Sequence, residues 1–234
     1  MEQAVAGLYS EMRSLYGDDW RELIDLRGED VTLQFNINVP GFTFQLDEFL
    51  EATNDNNVGG QYSNIFDAIF ASNVIITRIE NVTFDDAAQK ARILGEAKFI
   101  RSLAYWQALQ LFGLGETWEP GNLAVPLILE EITNPNQAFQ LERATVQQVY
   151  DQLVQDLTEA KSALPARESA GASGANAGRI TRGAAAFLLG ATYQLNPDAG
   201  AQRAAIAEFA SMEADGYGLI TTGSGDENAF RQVF

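Results

Sequence analysis

Acid–base chemistry in this chain would have to rest on carboxylates. Its 234 residues include no histidine and no cysteine. That composition excludes a histidine general base, a Ser/His/Asp triad, a cysteine nucleophile, thiolate metal ligands and disulfides. A pair of Asp or Glu side chains can still supply a proton donor and a base or nucleophile, as in glycoside hydrolysis.

The carboxylate pairs of the sequence do not predict such a site. Residues adjacent in sequence point to different sides of a helix or strand, and this applies to Asp18–Asp19, Asp85–Asp86 and Glu130–Glu131. A glycosidase that uses Glu29 or Asp30 with another carboxylate is one hypothesis. Nothing in the sequence fixes its two groups at the ~5 to ~9 Å separation that the reaction needs.

Metal and nucleotide motifs are also lacking. The segment NDNNVGG (54–60) offers side-chain oxygens, but it lacks the spaced aspartates and the distal glutamate of an EF-hand loop. The glycines of GLGETWEPG (113–121) follow no predicted strand and open no helix, so they predict a helix end and a turn. We expect no metal and no cofactor.

The charge balance limits the partners. Fifteen basic residues against 32 acidic ones give a net charge of −17, which repels phosphate backbones and anionic lipid surfaces. Nucleic acid is therefore not an expected partner. Only three of the basic residues are lysines, and this acidic, lysine-poor composition suggests a protein kept hydrated in high salt. No apolar run reaches the ~20 residues of a membrane span, and no signal peptide follows Met1.

Helical periodicity dominates the elements that would have to position any site. Apolar residues recur at spacings of three and four over 2–16, 61–80, 84–112, 143–165, 180–197 and 200–220. The segment 143–165 is the best bounded, with Thr145 and Gln148 as a capping box and Pro165 as a stop. Its charged residues lie mainly off the apolar stripe and are expected on a solvated face: Asp151, Asp156, Glu159 and Lys161.

The remaining pattern predicts the architecture. The segment 84–112, opened by Thr83 with Asp86 three residues on, is apolar on nearly all sides and predicts a central helix. Leu189-Gly190 followed by Tyr193 matches the L-G-x-x-Y piece of a tetratricopeptide (TPR) helix. We predict a mainly all-α fold, a TPR-like α-α superhelix or bundle with minor irregular or short β segments, the latter in 31–46 and near the carboxyl end. Residues 54–60 are expected to form a turn or cap.

Three segments, in order, resemble the SusD/RagB family of outer-membrane glycan-binding lipoproteins. They are GEAKFIRSLAYWQALQLFG (95–113), AVPLILEEI (124–132) with RATVQQVYDQLVQDLTEAKSALP (143–165), and GRITRGAAAFLLGATYQL (178–195). The positions that match the family patterns are Glu96, Ala97, Phe99, Arg101, Tyr105, Phe112, Gly113, Pro126, Leu127, Arg143, Thr145, Val149, Tyr150, Leu164, Pro165, Gly178, Arg179, Thr181, Ala184 and Ala185.

The resemblance implies a non-enzymatic role at the cell surface. Family members hold oligosaccharides or other nutrients as a lid on a SusC-type, TonB-dependent outer-membrane transporter, and they reach the membrane through a lipid anchor. They are also about twice as long as this chain. The resemblance thus implies that residues 1–234 are one SusD-like TPR-containing domain, truncated and without the signal peptide, lipidated cysteine and carboxyl-terminal half.

The resemblance also implies where a ligand binds. In the family, part of the ligand platform comes from the loop after the first helix, and here that loop contains Trp20, Arg21, Phe35, Asn36 and Asn38. Aromatic faces stack on sugar rings, and amide and charged groups bond to hydroxyls. The alternative for Phe35 and Trp20 is burial in the core, since large aromatic side chains are mostly buried.

Two alternatives stay open on the basis of the sequence. Trp118, in a predicted exposed loop, is a further candidate for contact with a ligand or transporter, although loop aromatics can equally serve packing. The chain as a whole is either a nutrient-binding protein or a TPR-like protein–protein interaction scaffold that binds no sugar. Glycan binding beside a transporter pulldown would separate these two functions.

Overall fold

The computed structural model describes residues 1–17, 56–115, 117–138, 140–167 and 178–218. Within these ranges the chain forms seven α-helices and one pair of short strands. The helices are α1 (Glu2–Ser14), α2 (Asn56–Arg78), α3 (Ala87–Ala108), α4 (Pro135–Ala138), α5 (Val146–Ala163), α6 (Arg182–Gln194) and α7 (Ala199–Ala214). A 3₁₀ turn (Ile79–Asn81) follows α2, and a π turn (Leu109–Gly113) follows α3. The prediction of a mainly all-α, TPR-type fold is confirmed.

The strand pair lies between α3 and α5. β1 (Leu123–Pro126) and β2 (Arg143–Thr145) are antiparallel, with Leu123 opposite Thr145 and Pro126 opposite Arg143. The short β segments predicted in 31–46 and near the carboxyl end fall outside the described residues. The helix predicted within 143–165 begins at Val146, directly after its predicted N-cap Thr145, and Arg143–Thr145 form β2.

The capping box of α5 is confirmed. The Thr145 hydroxyl accepts a hydrogen bond from the Gln148 amide at 3.2 Å, and the Gln148 side-chain oxygen accepts one from the Thr145 amide at 2.8 Å. These bonds satisfy two amide groups that a helix start otherwise leaves without a partner. At the other end, Leu164 is already extended (ψ 147°), as expected for the residue before Pro165.

Two predicted helix starts were wrong. Asp86, rather than Thr83, is the N-cap of α3, and its carboxylate accepts a hydrogen bond from the Ala88 amide at 2.8 Å. Asp86 directly precedes the first helical turn, where a side-chain oxygen reaches the free amides. In addition, α2 already begins at Asn56, so the residues from 56 to 60 are helical and not a turn.

The longer helices after α1 pack in chain order. α2 packs on α3, α3 on α5, α5 on α6 and α6 on α7, while α1 lies against both α2 and α3. Gly95 near the start of α3 lies against Leu164 just past the end of α5, and Arg101, later in α3, bonds to Asp156, earlier in α5. The pair is therefore antiparallel. This succession of neighbouring helices gives α3 its central position, with 13 buried residues along its length.

A glycine sets the separation of α6 and α7. A Cβ atom built on Gly190 would lie 2.6 Å from a ring atom of Phe209, which is closer than real Cβ contacts. The absence of a side chain at Gly190 thus lets the aromatic ring approach the backbone of α6. Gly190 belongs to the TPR-like pattern recognised in the sequence, and with Phe209 it forms a close contact between the two helices.

The core contains a charged pair that the pattern analysis misplaced. Asp156 was expected on the solvated face of α5, but it is 1% exposed. Both of its carboxylate oxygens accept hydrogen bonds at 2.8 Å from Arg101 of α3, which is 4% exposed. The expectation was wrong because a guanidinium on the neighbouring helix satisfies a carboxylate that would otherwise need water.

Candidate functional site

The ligand-contact residues predicted from the resemblance lie outside the described part of the chain. This holds for Trp20, Arg21, Phe35, Asn36 and Asn38, and for the carboxylates Glu29 and Asp30. Their contact with a ligand stays a prediction. The structure does describe the end of α1, from which the chain continues into this segment.

Two buried glutamines hold the carboxyl end of α1. The side-chain amides of Gln61 on α2 and Gln107 on α3 each donate a hydrogen bond to the Leu15 carbonyl at 3.2 Å. Gln61 also donates to the Gln107 side-chain oxygen at 3.1 Å. Both glutamines are fully buried. The last carbonyls of a helix have no partner within it, and here the partners come from two other helices, which fixes the point where the chain leaves α1.

An apolar groove of about 520 Å³ lies beside this point. Its walls come from α1, α3, α6, α7 and residues that flank these helices. Its aromatic lining comprises Tyr16, Phe99, Trp106, Phe187 and Tyr217. Phe187 is 55% exposed. A pyranose carries hydroxyl groups on most carbons, and a lining with so few polar atoms would leave them without hydrogen bonds. The apolar groove is thus better matched to apolar groups than to a sugar.

A second groove, of about 530 Å³, has a mainly polar lining, in contrast to the apolar groove. We call it the polar groove; its lining is Leu127, Glu142, Arg143, Ala144, Gln148, Asp151, Gln152 and Gln155. The Arg143 guanidinium donates to the carbonyls of Ala124 and Leu123, both at 2.6 Å, so β1 holds it in place. Amides and the Asp151 carboxylate of α5, together with the Glu142 carboxylate, form the rest of the polar surface.

Two motif residues of the family-like segments, Glu96 and Arg179, belong to an ionic cluster. Glu96 is fully buried and accepts hydrogen bonds from Tyr9 at 3.1 Å, Arg92 at 3.2 Å and Arg179 at 3.1 Å. Glu2 pairs with the same two arginines. Burial raises the pKa of Glu96 above its ordinary value, while the charge of Arg92 acts in the opposite direction. The cluster joins α1, α3 and the start of α6, so its role is structural.

Tyr105 and Arg101, two more motif residues, fix the segment after β1. The Tyr105 hydroxyl accepts a hydrogen bond from the Ile128 amide at 2.6 Å, and burial raises the pKa of this phenol. Arg101 donates to the Leu129 carbonyl at 3.1 Å. These polar groups of α3 thus bind main-chain atoms of the segment after β1, and neither residue lines the apolar groove or the polar groove.

The adjacent carboxylates within the described ranges do not form a catalytic pair. Asp86 caps α3, and Glu131 pairs with Arg78, which lowers the pKa of the Glu131 carboxyl. The described residues also contain no group of three or more Asp or Glu side chains placed to hold a metal ion. Among the described helices, none is both long and apolar enough to cross a membrane.

Trp118 does not have the exposed position that was predicted for it. Its ring packs edge-on against Tyr150 of α5 at a centroid distance of 5.1 Å, and the side chain is half-buried. T-shaped contacts of this kind stabilise packing. Trp118 thus connects the loop after α3 to α5, and the pattern of a tryptophan within a glycine- and proline-rich loop had given no indication of this contact.

Comparison with known families identifies one match over most of the chain. The family model SusD-like_3, described as starch-binding and associating with the outer membrane, matches residues 1–193. A SusD-like protein P25 from Formosa agariphila is 29% identical over an alignment of 140 residues, which covers 56% of this chain and 25% of that protein. The match therefore spans only a quarter of this relative.

Solved structures with the same fold include a SusD superfamily protein from Bacteroides thetaiotaomicron. Its TM-score is 0.74 at 24% identity, and the match covers 95% of this chain and 47% of that one. A structure with xylogluco-oligosaccharide has a TM-score of 0.64 at 22% identity, with coverage of 92% and 42%. A laminarin-binding SusD-like protein has a TM-score of 0.62 at 25% identity, with coverage of 87% and 42%. This chain thus spans less than half of each.

Proposed function

We propose a function from one premise: this chain belongs to the SusD-like family, which is described as starch-binding and associating with the outer membrane. The family consists of carbohydrate-binding proteins and not of enzymes. The proposed function is the capture of an oligosaccharide at the surface of the outer membrane, without chemical change of the ligand. The observation that carries the proposal is the family match over residues 1–193.

Two of the similar structures indicate the class of ligand. One holds a xylogluco-oligosaccharide and another belongs to a laminarin-binding protein. Both ligands are neutral glucose-containing polymers, and so is starch. A neutral ligand is also compatible with the net charge of −17 of this chain, because an acidic glycan would be repelled.

The proposed ligand contacts are those of the loop after α1. Phe35 would stack on a sugar ring, Trp20 would add a second aromatic face, and Arg21, Asn36 and Asn38 would bond to hydroxyl groups. The buried glutamines that hold the Leu15 carbonyl support this proposal, because they give the loop a fixed origin. A fixed origin reduces the conformational freedom that ligand binding must remove.

The proposed partner is a SusC-type, TonB-dependent transporter, with the protein as a lid on its extracellular side. We propose residues 1–234 as one SusD-like TPR-containing domain of that assembly, held at the cell surface by a lipid anchor in the full-length protein. Family membership supports the outer-membrane location. Co-purification with the transporter from solubilised outer membranes is the expected result, and a failure to co-purify would contradict the partnership.

Substitution of Phe35 tests the proposed site. If Phe35 stacks on a sugar, Phe35→Ala weakens glycan binding by about 1 kcal/mol or more, the order of an aromatic contact, with little change in stability. We expect this result in calorimetry of the full-length protein with soluble oligosaccharides from starch, laminarin and xyloglucan. If Phe35 is instead a core residue, the same change lowers the free energy of unfolding by about 3 to 5 kcal/mol. A thermal melt of the variant thus separates the two roles.

A second candidate function is a protein–protein interaction scaffold, and the apolar groove is the observation that favours it. Its lining includes five aromatic residues and two methionines, types that are enriched at the core of protein interfaces. The exposed Phe187 is the clearest test position. Under this function, Phe187→Ser abolishes capture of a protein partner. Neither the parent protein nor the variant then binds oligosaccharides from starch, laminarin or xyloglucan.

A further inference from the structure

We propose that the polar groove is an accessory contact site for a neutral oligosaccharide, separate from the loop after α1. The inference rests on the proposed function, since it assumes a glycan ligand. It adds a binding surface on α5 that the family match does not assign. The observations that carry it are the spacing, the hydrogen bonding and the charge of the lining residues.

The polar residues of the groove follow one side of α5. Gln148, Asp151 or Gln152, and Gln155 are spaced by three and four positions, which places them on one helix face. With a rise of about 1.5 Å per residue, they extend over about 10 Å. A row of this length can contact consecutive rings of an oligosaccharide.

Several of these side chains keep hydrogen-bonding capacity for a ligand. The Gln152 side chain makes no hydrogen bond within the part of the chain that the structure describes, and one Asp151 oxygen accepts only from Gln147, at 2.7 Å. Gln155 donates to Glu159 at 3.1 Å, which leaves its oxygen available. The groove therefore offers both amide donors and oxygen acceptors. A sugar hydroxyl both donates and accepts, so it matches this mixture.

The charges of the groove favour a neutral ligand. Two carboxylates, Glu142 and Asp151, face a single cation, Arg143, whose guanidinium already donates to two carbonyls of β1. An anionic ligand would find excess negative charge and a single guanidinium that already donates two of its five N–H groups to main-chain carbonyls. A polyhydroxylated neutral molecule needs neither.

The lining also favours a sugar over a protein. Interface cores are enriched in aromatic side chains and depleted in charge, whereas the polar groove has no aromatic lining residue and carries three charged ones. Without an aromatic face, binding of a single sugar unit in the groove is weak. We therefore assign it the role of holding the outer part of a longer oligosaccharide whose principal contacts lie elsewhere.

The test is nuclear magnetic resonance of the side-chain amides in the full chain labelled with ¹⁵N-glutamine. Soluble oligosaccharides from starch, laminarin and xyloglucan are the probes. The Gln152 and Gln155 amide signals, assigned from the single alanine variants, should shift saturably with the glycan that binds. The double variant Gln152→Ala/Gln155→Ala should weaken the apparent Kd for a long oligosaccharide at least threefold, with an unchanged melting temperature.

Gln3→Ala supplies the matched control, because Gln3 is an exposed helical glutamine on α1, outside the polar groove. It should leave the Kd unchanged. Gln152→Glu keeps the shape of the side chain but replaces its amide donor with a charged oxygen. It should weaken the apparent Kd at least threefold, like the double variant.

Three results would overturn the proposal. A glycan that binds the chain without moving these signals, or that binds the double variant as tightly, removes the accessory site but leaves the proposed function intact. If the Gln152 and Gln155 signals shift on addition of the SusC-type transporter and not on addition of a glycan, the polar groove is a protein interface. If none of the glycans binds the full chain, the proposed function fails and the accessory site fails with it.

Discussion

Arg101 and Asp156 show how individual residues of the family-like motif serve the fold. Their charged groups are almost completely removed from water, and each Asp156 oxygen accepts one guanidinium hydrogen bond. Asn73 accepts a third bond from Arg101 at 2.8 Å and donates to the Ile128 carbonyl at 2.9 Å. The pair thus connects α2, α3, α5 and the segment after β1.

Removal of one partner should be strongly destabilising. Asp156→Ala leaves the Arg101 charge buried without a counter-charge, and we expect a loss of about 3 to 5 kcal/mol in the free energy of unfolding. Chemical denaturation measures it. The double variant Arg101→Met/Asp156→Leu, which removes both charges, should recover most of the loss. A single variant within about 1 kcal/mol of the parent protein would show that water reaches the guanidinium.

This pair also marks the limit of sequence reasoning about single residues. Arg101 stood in a segment predicted to be apolar on nearly all sides, and a cation in such a helix signals a buried partner. The sequence did not say which carboxylate, because Asp156 is 55 positions away and its pairing depends on how α3 packs against α5. The contacts of Phe35 and its neighbours with a ligand likewise depend on tertiary placement.

At the scale of elements, Gly190 controls the packing of α6 on α7. The methyl group of Gly190→Ala would lie 2.6 Å from a ring atom of Phe209 unless the helices shift. Overpacking of this kind lowers the free energy of unfolding by about 1 to 3 kcal/mol. We expect a lower midpoint in urea denaturation. Phe209→Leu in the same chain should recover part of the loss, since the smaller side chain leaves room for the added methyl group.

Gly7 of α1 is the matched control for this substitution. A Cβ atom on Gly7 would have no neighbour within 4 Å, so Gly7→Ala should stabilise by about 0.5 to 1 kcal/mol through helix propensity alone. The two glycines are both helical, and only their surroundings differ. Equal effects at the two positions would contradict the role assigned to the contact with Phe209.

Elements with strong local signals were the ones that the sequence predicted well. The capping box of Thr145 and Gln148, the stop at Pro165 and the apolar stripe of α5 are all local, and all are present. The alternating pattern did not predict the pair of β1 and β2, because these strands are only four and three residues long. Such short strands carry too few residues for an alternating pattern to appear.

For the whole molecule, the acidic charge predicts a dependence of stability on salt. A net charge of −17 produces repulsion that opposes the compact state. The screening length falls from about 30 Å at 0.01 M salt to about 3 Å at 1 M. We therefore expect the melting temperature to rise between low and molar KCl. Buried pairs such as Arg101–Asp156 are screened much less than surface charges, so they should not reverse this trend.

Urea denaturation at the two salt concentrations provides the check on this interpretation. The midpoint should rise with salt in parallel with the melting temperature. A melting temperature that stays constant or falls would mean that the surface charges do not limit stability, and it would remove the basis for a high-salt habitat.

The ionic cluster at Glu96 has a consequence for how the protein is made. Glu2, in the first turn of α1, bonds to Arg179 at 2.8 Å across a separation of 177 positions, and the Tyr9 hydroxyl accepts from the Ile180 amide at 2.9 Å. A ribosome that adds about 5 to 20 residues per second delivers Arg179 on the order of 10 to 35 seconds after Glu2. During that interval α1 can already pack on α2 and α3, and Glu2 can pair with Arg92, but its contacts with Arg179 and Ile180 cannot form, so the ionic cluster is completed late in synthesis.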